Sequence, residues 1–277
     1  MPQHPPAAET FFDLGYQHLK KLDFAQAAPC FQAALALAPG FLEAHVNLGW
    51  SLEKLGSLDE AEASYRRALA LDPACLRAGL NLGVLLVGRK RFADAEEVYA
   101  QTLRDHPDAA AAWSNLGVLE TLAKREVEAE AHLRKAMALD PGYARARFNL
   151  SYLLLRQGRF EEGWPALEAR ELSPFTARFA FPPWRGEDLR GKSLLIGIEK
   201  GHGDMLQFCR YVPLLKARGA ARIGLVCHGA LARLLRPMEG LDALFPLEDG
   251  IPTDGWDHWT LPLSLPLHCG TRMDTIP

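Results

Sequence analysis

"LEAHVNLGWSLEKLGSLDEAEASYRRALALDPAC", residues 42–75, decides how this chain folds. Its pair Leu48 and Gly49 is followed by a small residue at Ala61, a large one at Tyr65 and a proline at Pro73. Working outward, the same features return every 34 residues. Prolines stand at Pro39, Pro73, Pro107 and Pro141, and Leu14, Leu48, Leu82, Leu116 and Leu150 precede Gly15, Gly49, Gly83, Gly117 and Ser151. A small series runs Ala27, Ala61, Ala95, Ala129 and Gly163; a large one runs Phe31, Tyr65, Tyr99, Leu133 and Leu167. A period held this long without drift is the mark of a repeat array.

The pattern resembles the tetratricopeptide repeat (TPR). That resemblance implies a mostly α fold, a right-handed solenoid of helical hairpins, with repeats at 8–41, 42–75, 76–109, 110–143 and a divergent fifth at 144–172. In each hairpin the Leu-Gly pair lets the second helix approach closely, the alanine sits at the crossing, and the large side chain fills the remaining space. Proline ends the unit because its ring and missing amide stop the second helix. One hairpin cannot bury its apolar face alone, so neighbours stack into a shared core. Residues 1–7, three of them proline, read as a disordered tail.

Composition narrows the function classes. The 277 residues carry 31 basic and 34 acidic side chains, a formal charge of -3, so no positive field gathers nucleic acid or anionic lipid. Cys30, Cys75, Cys209, Cys227 and Cys269 are scattered and odd in number, which suits a reducing compartment. No leader peptide and no apolar run long enough to span a membrane is evident, and the chain reads as cytoplasmic. Neither a metal nor a cofactor is called for: Cys227, His228, His258, His268 and Cys269 fit no metal-binding spacing.

On the first helix of each repeat, the second, sixth, ninth and thirteenth positions share one stripe. In TPR proteins that stripe lines the concave groove. The sixth position reads Asp13, Asn47, Asn81, Asn115 and Asn149. An amide offers both a donor and an acceptor, which suits the main chain of an extended peptide. The ladder resembles the asparagine array of eukaryotic O-linked N-acetylglucosamine transferase, which holds acceptor polypeptides. The other reading is that these amides cap or bridge neighbouring helices. Tyr16, Trp50 and Tyr152 at the ninth position add aromatic surface, interrupted by Val84 and Val118. At the second position Glu9 and Glu43 give way to Arg77, Ala111 and Arg145. This polarity either orients a peptide or is a set of solvated charges.

Residues 173–192 break the helical period with Pro174, Pro182 and Pro183 and carry Phe175, Phe179, Phe181 and Trp184. They are expected to form an ordered strap over "EEGWPALEAR", capping the solenoid. Beyond Lys192, "SLLIGIE", "ARIGLVC", "ALFPL" and the region of "HWTLPL" read as strands, with helices over "DMLQFCRYVPLLKARG" and "ALARLLRPM". Alternation of this kind gives a parallel sheet covered by helices, so residues 193–277 are expected to form a partial Rossmann-like α/β lobe.

The first strand-to-helix turn, "EKGHGDMLQFCRY", is where α/β folds commonly place ligands. Gly201 and Gly203 permit close backbone approach. Asp204 is either a general base or a helix cap closing a capping box with Gln207, the cap being favoured on chemistry alone. His202 either polarises a substrate oxygen or faces solvent. The stretch from Phe179 to Ala220 with "LPLSLPLHCGTRMDTIP" resembles the glycosyltransferase-like region attached to many bacterial TPR proteins. Those regions are similar to the lipopolysaccharide heptosyltransferases of the two-lobed GT-B fold. The resemblance implies that Asp204 is the catalytic base and that Gly201, Gly203, Gln207, Arg210 and Tyr211 belong to the same ligand loop, with His202 inside it. Asp257 also matches, without an assigned role.

About 85 residues follow Lys192, too few for two such lobes. The leading expectation is therefore a scaffold that binds a polypeptide segment of a partner and carries an incomplete transferase-like lobe inactive by itself. The competing reading is a fragment of a protein O-glycosyltransferase drawing on a nucleotide sugar. Self-association into a homo-oligomer is the third.

Overall fold

The computed structural model describes residues 4–170, 174–199 and 201–277 and divides them into two compact units, on either side of the Ala146/Arg147 bond. In the first unit four hairpins follow one another. They are α1 (Pro6–Lys20) with α2 (Phe24–Leu37), α3 (Leu42–Lys54) with α4 (Leu58–Leu71), α5 (Leu76–Gly88) with α6 (Phe92–Asp105), and α7 (Ala110–Leu122) with α8 (Glu126–Leu139).

The 34-residue code has a physical counterpart at every step of the hairpin. Leu22, Gly56, Lys90 and Lys124 reverse the chain between paired helices with φ of 58, 83, 60 and 61°. The second helices stop one residue before the prolines. Ala38, Asp72, His106 and Asp140 take φ of -138, -139, -133 and -137°, because a following proline disfavours the α conformation. Ala27, Ala61, Ala95 and Ala129 are fully buried at the crossings. A methyl on Gly49 would lie 2.6 Å from the Tyr65 ring, on Gly83 2.2 Å from Tyr99, and on Gly117 2.7 Å from Leu133. Glycine is thus required by the bulk of its partner, and the pairing is what locks each helix onto the next.

The first hairpin differs on its outer side. Ala44, Ala78 and Ala112 are buried, as are Ser51, Leu85 and Leu119, but the matching positions of α1 hold exposed Thr10 and Gln17. Leu14 is 42% exposed where Leu48, Leu82 and Leu116 are buried. Polar substitution of the outer face is how a terminal repeat stays soluble. The expected disordered tail is corrected in part: helix α1 already begins at Pro6, a residue suited to the first helical turn, and His4 stacks on Phe41 at 3.9 Å.

The second unit takes α9 (Ala144–Arg156), apart from its first residues, and α10 (Phe160–Leu167), followed by the α/β segment. A boundary after residue 172 was expected. The fifth hairpin falls instead with the sheet, because Trp164 packs against the second core and its indole N–H donates to the Thr271 carbonyl at 3.2 Å. Helix α10 has eight residues, where α2, α4, α6 and α8 have 14.

Four parallel strands, β1 (Ser193–Ile196), β2 (Arg222–Cys227), β3 (Ala243–Pro246) and β4 (His258–Thr260), form one sheet in the order β3-β2-β1-β4. Leu194, Leu195, Ile196, Ile223, Leu225 and Val226 are fully buried, as befits strands covered on both faces. Between β1 and β2 the chain forms α11 (His202–Phe208) and α12 (Tyr211–Ala217) rather than the single helix expected over that stretch. Pro213 has no N–H to offer the Cys209 carbonyl, and the chain turns between the two helices there. Helix α13 (Gly229–Leu235) follows β2, and α14 (Leu265–His268) follows β4.

From Phe179 onward the aromatic connector packs on the sheet; residues 171–173 lie outside the described residues. It runs beside β4 as an added strand edge: the Trp184 N–H donates to the Trp259 carbonyl at 2.6 Å, and the Trp259 N–H donates to the Pro182 carbonyl at 3.1 Å. Phe181 and Trp184 enter the sheet core, which offers them more apolar area than one short helix. At the opposite end of β1, Asp257 accepts both the backbone N–H and the hydroxyl of Ser193 at 2.8 Å, so this residue ties β4 to the start of β1.

Candidate functional site

The stripe of the first helices can be followed through the first unit from α1 to α7. Asp13 and Tyr16 are exposed, and the Lys20 ammonium lies 4.8 Å over the Tyr16 ring. Trp50 is half-buried, edge-on to Phe24 at 5.4 Å, so only part of its surface is available. Arg77 is exposed on α5. On α9, Arg145 is exposed at the end of the first unit; in the second unit Asn149 is half-buried, and Tyr152 is exposed beside Phe148.

The ladder of free amides is corrected at Asn47, which is 2% exposed and accepts a hydrogen bond from Arg77 Nη2 at its Oδ1, 2.9 Å away. Arg77 belongs to the next repeat and folds back across the stripe. Asn81 and Asn115 are half-buried, each near a tyrosine of the preceding repeat, Tyr65 and Tyr99. Tyr65 in turn donates to Glu53 Oε2 at 3.0 Å. Burial, and for Tyr65 also the Glu53 carboxylate, holds both phenols well above their usual range, so the hydroxyls stay protonated. Asn47 therefore braces one repeat to the next. An amide has two N–H groups and one carbonyl, so Asn81 and Asn115 each keep a donor and an acceptor even with one N–H turned to the tyrosine.

One periodic feature went unread in the sequence. Glu62 on α4 accepts from Arg91 at 2.7 Å, Arg89 at 3.0 Å and Arg66 at 3.0 Å, and 34 residues on Glu96 takes Arg125 in a two-pronged pair at 2.9 and 3.0 Å. Burial pushes the Glu62 carboxyl up, but Arg91 and Arg66 outweigh it and hold it below the usual range. The signal available was the 34-residue spacing of both the acids and the arginines. Beside this cluster α4 and α6 enclose a cavity of about 370 Å³ whose wall includes Arg66, Arg91, Arg104, Asp94 and Leu69.

In the second unit the glycine turn leaves the carboxyl end of β1 where the sheet order reverses between β1 and β4. Gly201 is the residue before α11, with φ -98°, and no side chain caps that helix. The capping-box reading of Asp204 with Gln207 is thereby corrected: α11 begins two residues earlier, at His202, so Asp204 is its third residue. The Asp204 carboxylate instead leans back over Gly201, where a methyl would meet its Oδ2 at 2.6 Å. Gly203, Gln207 and Arg210 are exposed in reach of solvent. Tyr211 is corrected as a loop ligand, being buried with its hydroxyl 2.7 Å from Thr271 Oγ1. Lys200 lies outside the described residues.

Two further groups crowd this edge of the sheet. His202 stacks on His228, at the end of β2, with ring centroids 4.3 Å apart. Arg170, itself buried, donates to Glu199 Oε1 at 2.6 Å, to Glu168 at 2.7 Å and to the Ser264 hydroxyl at 2.8 Å. Glu199 also accepts the Leu263 N–H at 2.9 Å. This filled cluster ties the chain after α10 to the ends of β1 and β4. Among the described residues no group of three or more His, Cys, Asp or Glu side chains is placed to hold a metal ion. None of the described helices is long and apolar enough to cross a membrane. Burial pushes the Cys269 thiol up to about 11, which keeps it protonated and poorly nucleophilic.

Comparison with known proteins agrees with the hairpin geometry. Two sequence models described as tetratricopeptide repeat match residues 12–74 with 80–144, and 121–168, together more than half of the chain. Protein FlbA of Caulobacter vibrioides is 43% identical over 75 residues, and the chain spans 12% of that protein's length. A thermophilic tetratricopeptide repeat protein of Thermus thermophilus is 26% identical, with a TM-score of 0.53 over 61% of this chain and 92% of that one. The pilF protein of Pseudomonas aeruginosa is 21% identical, with a TM-score of 0.54 over 62% of this chain and 80% of that one.

Proposed function

Because this chain belongs to the tetratricopeptide repeat proteins, we propose that it is a protein-interaction scaffold whose first-helix stripe takes an extended polypeptide segment of a partner. One observation carries the reading: Asn81 and Asn115 stand in register on α5 and α7, each with a donor and an acceptor left over, the two functions a peptide unit presents. Asn47 is a brace, and joins the surface only if Arg77 leaves it. A random 12-residue peptide library displayed on phage tests this. Recovery on the full chain that falls when Asn81 and Asn115 are both changed to alanine supports the scaffold; recovery indifferent to that change contradicts it.

The sheet order favours a second reading of the other unit. A parallel sheet that reverses direction of travel between β1 and β4, with a glycine turn at that point, is the arrangement in which open α/β sheets place ligands. On this reading the segment is a partial Rossmann-like lobe, and Asp204 with the turn Gly201 to Gly203 is the acceptor side of a sugar transferase completed by another chain. Isothermal titration with a panel of nucleotide sugars is the test. Binding lost in Asp204→Asn supports it, whereas absence of heat with every donor and with sugar acceptors removes it.

A further inference from the structure

The stripe is not uniform along the array. At its ninth and thirteenth positions α1 and α3 carry an aromatic and a lysine, Tyr16 with Lys20 and Trp50 with Lys54. On α5 and α7 the same positions are Val84 with Gly88 and Val118 with Leu122, all uncharged. Val84 is 48% exposed and Leu122 53% exposed, and a methyl built on Gly88 would meet nothing within 4 Å. These two helices are neighbours, so the stripe carries aliphatic side chains on adjacent rungs, with open space at Gly88. A side chain seated there is favoured by about 25 cal/mol for each Å² removed from water.

Arg77 stands on the same stripe, seven residues before Val84. Its guanidinium donates to the neutral Asn47 amide, and among the described residues no carboxylate lies within ion-pair distance of it. Arg89, Arg91 and Arg125, by contrast, each meet an acid at 3.0 Å or less. The Asn47 contact holds the side chain in place and leaves its charge unneutralised. A carboxylate is the group that completes it, through a charge-assisted pair stronger than the amide contact it replaces.

Seven residues of α-helix span about 10 Å along the axis. An extended chain turns alternate side chains to one face, so residues facing the stripe stand about 6.6 or 13 Å apart at about 3.3 Å per residue, and the long Arg77 side chain makes up the difference from about 10 Å. We infer that the stripe selects a segment carrying an acidic side chain two or four residues from a branched aliphatic one, the acid on Arg77 and the aliphatic group over Val84, Gly88 and Leu122. This rests on the scaffold reading of the same stripe and names the chemistry of its partner.

The sequences of phage peptides recovered on the full chain test it. Peptides from the unaltered chain should be enriched in Asp or Glu two or four positions from Val, Ile or Leu. A synthetic peptide of that kind should bind about tenfold more weakly to Arg77→Glu, and selection on that variant should replace the acid by Lys or Arg. Arg77→Glu leaves the buried Asn47 carbonyl unpaired, so its melting curve is recorded alongside. Val84→Lys changes an exposed side chain with no packing role, and should abolish the aliphatic preference while leaving the melt unchanged. Peptides that depend on Asn81 and Asn115 but show no such pair, or whose acid is indifferent to Arg77→Glu and whose aliphatic residue is indifferent to Val84→Lys, overturn this inference and leave the scaffold standing. No peptide recovered above background overturns both.

Discussion

At the scale of single residues, the hairpins rest on a few tight contacts and a few strained ones. Gly83 faces the Tyr99 ring so closely that Gly83→Ala must displace it. Overpacking of that kind costs about 1–3 kcal/mol, and urea unfolding should show that loss with an unchanged slope. Lys90 is exposed and holds φ of 60° at a turn where Gly56 serves in the repeat before. Lys90→Gly should raise stability by about 0.5–1 kcal/mol, because only glycine takes that conformation without strain; a loss in the same urea titration would show that the lysine has a packing role. The glycine series was legible because both members of each contact recur in the chain at fixed spacing. The fate of Asn47 was not: that Arg77, 30 residues away, would lie across it depends on the angle between successive hairpins, which no spacing encodes. Nor does the chain disclose that Asn81 and Asn115 would stand near the tyrosines of the preceding repeat.

At the scale of elements, the ten helices of the repeats were readable from period and punctuation, while the pieces of the second unit were read correctly as strands and less well as helices. Pro213 was visible inside the expected long helix, and its missing N–H is the reason the chain makes two short ones. The aromatics of the connector are visible in the sequence, but which neighbour Phe181 and Trp184 pack on is a question of available apolar area, set by elements far away in sequence. The joint of α4 with the turn before α6 carries a pH prediction. The Glu62 carboxyl is held below its ordinary value of 4.5, so it binds protons less readily folded than unfolded. Its contribution is complete above the unfolded value and is lost as pH falls through the lower folded one. The urea midpoint of the unaltered chain should therefore fall more between pH 6 and pH 3 than that of Glu62→Gln. Equal falls would mean that the arginines gain nothing from this carboxylate.

At the scale of the whole molecule, two cores are built on different principles, alanine and glycine crossings in one and a buried parallel sheet in the other. The boundary between them was misplaced from the sequence because the 34-residue period continues into α9 and α10, whereas the packing of Trp164 and the Arg170 cluster assigns that hairpin elsewhere. Glu199 and Ser264 lie 29 and 94 residues from Arg170, beyond the reach of any local pattern. Removing the guanidinium leaves the largely buried Glu199 without its cation, at a cost of about 3–5 kcal/mol. Hydrogen exchange on Arg170→Ala should accelerate in β1 and α14 and remain unchanged in α1 to α8; acceleration throughout would show that the two cores unfold as one.

The claim on which function turns is that a partner segment lies along the stripe of α3, α5 and α7. Hydrogen exchange of the full chain with and without a saturating recovered peptide measures this directly. The account predicts slowed exchange confined to those three helices, strongest around Asn81 and Asn115. Slowing confined to α4 and α6, or to the turn after β1, would contradict it.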